Sequence, residues 1–185
     1  MLKSSKISLG ASAMNRIRKY LFKQAVDLCE IPIITIVDLG CIKKENPAPN
    51  SYGWSTKAWV ELTTAIVYTV DIDPQSIKTS KRVLSRHLSQ EDFKRVVYRL
   101  QDATDFLEHF TTQIDILYFD GPGEKGSRNS LRVSNKLLKA GSVILFDDCD
   151  LPESEDGRRS VIPDAIDMGF KVTMDNKRQV LMKRV

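Results

Sequence analysis

Ile33-Ile34-Thr35-Ile36-Val37-Asp38-Leu39-Gly40 decides how this chain folds. Five apolar or β-branched residues run unbroken into an acid, and a glycine follows two places later. Such a run suits a strand buried on both faces of a parallel sheet, since a strand with one wet face would alternate. The rhythm returns four more times: Ile66–Val70 into Asp71, Val96–Leu100 toward Asp102, Ile116–Phe119 into Asp120, and Val143–Phe146 into Asp147-Asp148. Ligands of open α/β sheets bind beyond the carboxyl ends of the strands. The acids therefore line one sheet edge, where a ligand of cofactor size would sit.

Helical patterns fill the gaps. An amphipathic stretch over Asn15–Cys29 precedes the first strand, with Ile17, Tyr20, Leu21, Ala25 and Leu28 on one face and Arg16, Arg18, Lys19 and Lys23 on the other. Ser55 or Thr56 can cap a helix carrying Lys57–Thr64, and Asp73-Pro74 opens another that runs to about His87. Further helices are expected over Ala103–Phe110, Ser127–Lys139 and Val161–Met168. The chain closes with Phe170–Met174 and Gln179–Met182 around Asp175-Asn176-Lys177, the pattern of a hairpin.

At 185 residues the length fits one domain, with 1–30 as tail and helix and 31–185 as the folded unit. Apolar and charged fractions of 42% and 28% are those of a globular protein, and no apolar stretch is long enough to span a membrane. Three cysteines without metal-type spacing point to a reducing, cytoplasmic setting. A net charge of +4, spread along the chain, permits an anionic partner but does not call for nucleic acid.

Five β/α units and a terminal hairpin resemble the class I S-adenosylmethionine-dependent methyltransferases. The resemblance runs from about Ile33 to the carboxyl end. It implies a Rossmann-like α/β fold: a seven-stranded, mostly parallel sheet with a C-terminal β-hairpin and helices on both faces. It also implies that Asp38 and Gly40 form the first cofactor turn, that Asp71 accepts both ribose hydroxyls, and that Asp102-Ala103 meet the adenine edge. Gly53 and Ser55, in Tyr52-Gly53-Trp54-Ser55-Thr56, resemble the helix start of small-molecule O-methyltransferases. Residues 41–52 then stand as an insertion within the motif, either a flap over the methionine end of the cofactor or a surface loop. A Rossmann dehydrogenase would show Gly-x-Gly-x-x-Gly, which is absent.

With the first, fourth and fifth strands adjacent, Asp120, Asp147 and Asp148 converge on the substrate side. Unpaired, three carboxylates repel, and a hard divalent cation such as Mg²⁺ resolves the conflict. The pattern is similar to that of metal-dependent O-methyltransferases of the catechol and macrolide-sugar types. There the metal binds the acceptor's hydroxyl oxygen and lowers its pKa. The plainer alternatives are that Asp147 or Asp148 caps a turn and that Asp120 binds loop amides. Asp120 and Lys125 are the candidate catalytic residues; His87 and His109 read as solvated helix positions.

The reading is thus O-methylation of a small hydroxylated acceptor. An RNA 2′-O-ribose methyltransferase is the first rival, because Gly53-Trp54-Ser55 and Lys19 or Lys23 echo that group. It needs a lysine after the fifth strand, where this chain has Asp147-Asp148 and would repel a phosphate backbone. A methyltransferase-like binding module without catalysis is the second.

Overall fold

The structure, a computed structural model, describes residues 11–42, 54–152 and 157–185. Its strands are β1 (Thr35–Leu39), β2 (Ile66–Asp71), β3 (Val96–Leu100), β4 (Ile114–Phe119), β5 (Leu138–Phe146), β6 (Phe170–Asp175) and β7 (Val180–Arg184). Its helices are α1 (Ala11–Leu28), α2 (Ser55–Leu62), α3 (Pro74–His87), α4 (Gln90–Lys94), α5 (Ala103–His109), α6 (Glu124–Ser134) and α7 (Ile162–Asp167). Seven strands form one sheet in the order β3-β2-β1-β4-β5-β7-β6. The first five run parallel, and β7 enters antiparallel between β5 and β6. The Rossmann-like expectation, hairpin included, is met.

Unbroken apolar runs became the sheet's middle because helices cover both of its faces. Every residue of β1 and β4 is buried. Alternate residues serve opposite layers. Ile36, Ile116, Tyr118, Val143 and Leu145 pack with Phe22 and Ala25 of α1 and Trp59 and Val60 of α2. Val37, Leu39, Leu117, Phe119 and Phe146 pack with α5, α6 and α7 through Phe106, Leu107, Leu131, Ile162 and Ala165.

Helix starts follow the short polar residues. Asp73 accepts from the amides of Gln75 and Ser76 ahead of Pro74, and Asp102 accepts from those of Thr104 and Asp105. Two boundaries differ from the periodicity. The helix expected to Lys139 stops at Ser134, because Leu137 and Leu138 turn into the core through a single 3₁₀ turn, so β5 begins before Gly141. The short α4 carries no apolar stripe and is set by its ends. Ser89 caps it, and Arg95 binds the carbonyls of Val60, Thr63 and Ala65 at the carboxyl end of α2.

At the amino-terminal edge, the Asp115 carboxylate accepts from the amides of Ile34 and Thr35 at 2.8 and 2.9 Å, pinning β1 to β4. Asp115→Ala leaves two amides without their acceptor. Urea unfolding should show a loss of roughly 2–3 kcal/mol, with ligand affinity at the opposite edge unchanged.

Candidate functional site

The sheet order reverses between β1 and β4, which makes their carboxyl ends the crevice of the fold. The chain leaves both strands on glycine. Gly40 has φ +123°, and a Cβ on it would stand 2.9 Å from the amide nitrogen of Gly121. Gly121 meets Gly40 just as closely in return. The contact holds the two loops together, with the Asp120 amide and the Gly121 amide both donating to the Leu39 carbonyl.

A cavity of about 380 Å³ opens there, lined by Gly40, Asp71, Ile72, Asp102, Ala103 and Gly121 among others. That is a cofactor-sized volume. Among the described lining residues there is no lysine, arginine or histidine, whereas three aspartates are present: Asp71, Asp73 and Asp102. The surface suits a cation-bearing ligand and repels a pyrophosphate.

Asp38 lies beneath this wall with no exposure. Its Oδ2 accepts from the Ser55 and Thr56 hydroxyls at 2.8 and 2.7 Å, while Oδ1 is buried without a hydrogen-bond partner. Burial pushes its carboxyl from 3.8 up to about 8; the two hydroxyls pull the other way, and Asp120 and Asp71 add to the rise. Ser55 was expected at the cofactor itself. It is buried at the first turn of α2, with its hydroxyl donated to Asp38. Thr56, read from the sequence only as a candidate helix cap, does the same.

Asp71 ends β2. Its Oδ2 accepts from the Cys41 amide at 3.1 Å and thiol at 3.3 Å, and Oδ1 accepts from the Asp73 amide at 2.9 Å. Burial pushes the Cys41 thiol up, and Asp71 beside it adds to the shift, so this sulfur stays a proton donor. Carboxylate oxygens carry further lone pairs, so Asp71 keeps room for ligand hydroxyls. Ile72, 70% exposed, offers an apolar face within the cavity. Its signal in the sequence was one apolar residue between two acids. Asp102 and Ala103 line the opposite wall. These residues fit S-adenosylmethionine: carboxylates with lone pairs to spare for its hydroxyls and amine, negative charge to match its positive charge, and glycines that keep the cavity wall open. Gly53 and the insertion beyond Ile42 fall outside the described residues.

The acids after β4 and β5 do not form the expected metal centre. Asp120 is half-buried at the crevice, but Asp147 and Asp148 are paired with guanidinium groups. Asp147, with no exposure, accepts from the Tyr118 hydroxyl at 2.8 Å and meets Arg178 Nε at 3.2 Å. Asp148, at φ +55°, pairs with Arg178 and stands 3.5 Å from Arg158. Arg158, 2% exposed, also binds the carbonyls of Pro122 and Asp147, tying the β4 loop to the end of β5. Among the described residues no three metal-ligating side chains come together. Opposite charges from arginine have met the repulsion that seemed to need a cation. Neither arginine stood near these acids in sequence. Lys125 is exposed at the first turn of α6 and is not among the cavity-lining residues, and His87 and His109 lie exposed on helices.

A family model described as a methyltransferase domain matches residues 50–149, more than half of the chain. No curated protein matches the sequence. Among solved structures, the TDP-rhamnose 3′-O-methyltransferase of calicheamicin biosynthesis is similar at 14% identity and TM-score 0.67, over 97% of this chain and 88% of that one. An rRNA methylase from Streptococcus thermophilus is similar at 11% identity and TM-score 0.57, covering 91% and 95%. A Streptococcus mutans protein solved with SAH (S-adenosylhomocysteine) is similar at 12% identity and TM-score 0.63, covering 90% and 97%. At such identities the likeness speaks for the fold. Among the described residues no helix is long and apolar enough to cross a membrane.

The raised Asp38 value gives a signature for the ligand-free protein. Folding favours its neutral form, so the stability it contributes is complete below pH 3.8 and is lost as pH rises through about 8. Asp38→Asn does not titrate. Thermal unfolding against pH should show a shallower decline across that window in the variant than in the wild type.

Proposed function

Because the chain belongs to the methyltransferase-domain family and its fold is that of S-adenosylmethionine-dependent enzymes, we propose that it methylates a hydroxyl oxygen of a small acceptor. The observation that carries this reading is the acid-lined cavity at the β1/β4 crevice, with the buried, half-satisfied Asp38 beneath it. When bound, S-adenosylmethionine supplies an electrophilic methyl group on a sulfonium. Asp71 would accept its ribose hydroxyls, and Ile72, Asp102 and Ala103, which line the same cavity, would hold its adenine.

On the acceptor side, Asp120 stands at the end of β4 beside Gly121, where it takes the proton that the acceptor oxygen loses as its bond to carbon forms. Holding that oxygen in line with the methyl–sulfur bond provides most of the acceleration. The chain's part is therefore to orient the two partners and keep the loops after β4 and β5 fixed, which Arg158 does through both. The sugar O-methyltransferase among the structural neighbours supports a small hydroxylated acceptor. So does the cavity wall, where Asp71, Asp73 and Asp102 stand with no basic side chain among the described lining residues, a poor surface for a phosphate backbone.

Calorimetric titration of S-adenosylhomocysteine tests the reading. Micromolar binding is expected. Asp71→Ala should weaken it about a hundredfold or more, the loss of two charge-assisted hydrogen bonds at roughly 1.5–3 kcal/mol each, together with a loss of thermal stability from the Cys41 and Asp73 amides left without their acceptor. Unchanged affinity removes the ribose role from Asp71. Asp120→Asn should lower the rate of methyl transfer while leaving that affinity intact, and equal loss of both would place Asp120 in cofactor binding instead.

A further inference from the structure

We infer that the guanidinium of Arg178 stands where the acid pair after β5 would otherwise hold a divalent cation, so that methyl transfer here needs no bound metal. This rests on the methyltransferase reading for its meaning but not for its geometry. Each carboxylate oxygen of the pair already faces a donor. Asp147 Oδ2 accepts from the Tyr118 hydroxyl at 2.8 Å, and Oδ1 accepts from the Asp148 amide at 2.9 Å and lies 3.2 Å from Arg178 Nε. Asp148 Oδ1 is bonded to Arg178 Nη2, and Oδ2 lies 3.5 Å from Arg158 Nη1.

Mg²⁺ seeks an octahedron of oxygens at about 2.1 Å. Seated against Asp147 Oδ1 it would meet a guanidinium that cannot shed its proton to make way. The nearer face is closed as well, since Asp147 has no exposure. The arrangement is assembled from separate parts of the chain. Arg178 arrives on the turn between β6 and β7, and Arg158 arrives ahead of α7. Asp148 is held in the left-handed region at φ +55°, which turns its carboxylate to both. The same turn carries Asp150, 3.8 Å from Arg178 Nη1.

The consequence for specificity is chemical. A metal-assisted enzyme selects acceptors that chelate, with two neighbouring oxygens on one cation. With a guanidinium fixed in its place, the acceptor is recognised by hydrogen bonds and shape, and a single hydroxyl suffices. Arg178 is a positioning residue that acts through the acid pair.

Manganese binding to the full chain decides the matter, read by electron paramagnetic resonance of free Mn²⁺ and by calorimetry. The wild type and Arg178→Lys, which keeps the charge, should show no saturable binding below millimolar Mn²⁺. Arg178→Gln should bind Mn²⁺ at least about tenfold more tightly, and adding Asp147→Asn should abolish the gain. Saturable micromolar binding by the wild type that Asp147→Asn removes would overturn the inference. So would an Arg178→Gln protein that is folded, still binds S-adenosylhomocysteine, and gains no manganese site. The S-adenosylhomocysteine titration on the same samples separates the two claims: its failure in the wild type would sink the methyltransferase reading and leave the manganese result standing.

Discussion

Between Gly40 and Gly121 there is room for two hydrogens and no more. The two backbones leave neighbouring strands at the point where the sheet reverses, and a Cβ on either would be 2.9 Å from the other's main chain. Everything at the carboxyl edge is referred to that contact. It sets the depth of the crevice, because the loops cannot separate without losing the shared bonds to the Leu39 carbonyl. It brings Asp120 to within electrostatic reach of Asp38. It also leaves the floor of the cavity bare of side chains, so that a ligand lies against main chain.

The edge has two electrostatic characters. On the β2 side the acids lining the cavity have hydrogen-bond donors but no cation among the described lining residues, and Asp38 beneath them is displaced in its ionisation by burial first and by Asp120 and Asp71 after it. On the β5 side the acids are matched by Arg158 and Arg178 and are locked. The first half is arranged to receive positive charge. The second is already neutralised and serves as a rigid wall. A buried ion pair contributes little net stability, since desolvating both partners offsets their attraction. Its use here is geometric: Arg158 joins the β4 loop, the start of α6 and the end of β5 through one side chain.

Much of this was legible in the sequence, for identifiable reasons. Strands buried on both faces write themselves as unbroken apolar runs, and Ile66–Asp71 and Val96–Leu100 lie where those runs lie. Caps are local, so Asp73 was readable too. What escaped was non-local. Leu138 joins β5 because it pairs with Ile114, a partner 24 residues away that no window contains. The acid pair suggested a metal because its counter-charges, Arg158 and Arg178, lie ten and thirty residues downstream of Asp148. A sequence shows that carboxylates will gather at a strand end. It does not show which cation the fold will bring to them.

The acid-lined crevice has one further consequence, for what happens after the methyl group has gone. Transfer turns a positively charged sulfonium into a neutral thioether. The carboxylates of Asp71 and Asp102 do not change place, so their attraction for that positive charge falls away once the reaction is over. The hydrogen bonds to sugar and base are the same before and after. The difference between what enters and what leaves is therefore carried almost wholly by charge. A pocket lined with acids in this way favours the charged cofactor over the spent one without moving a loop.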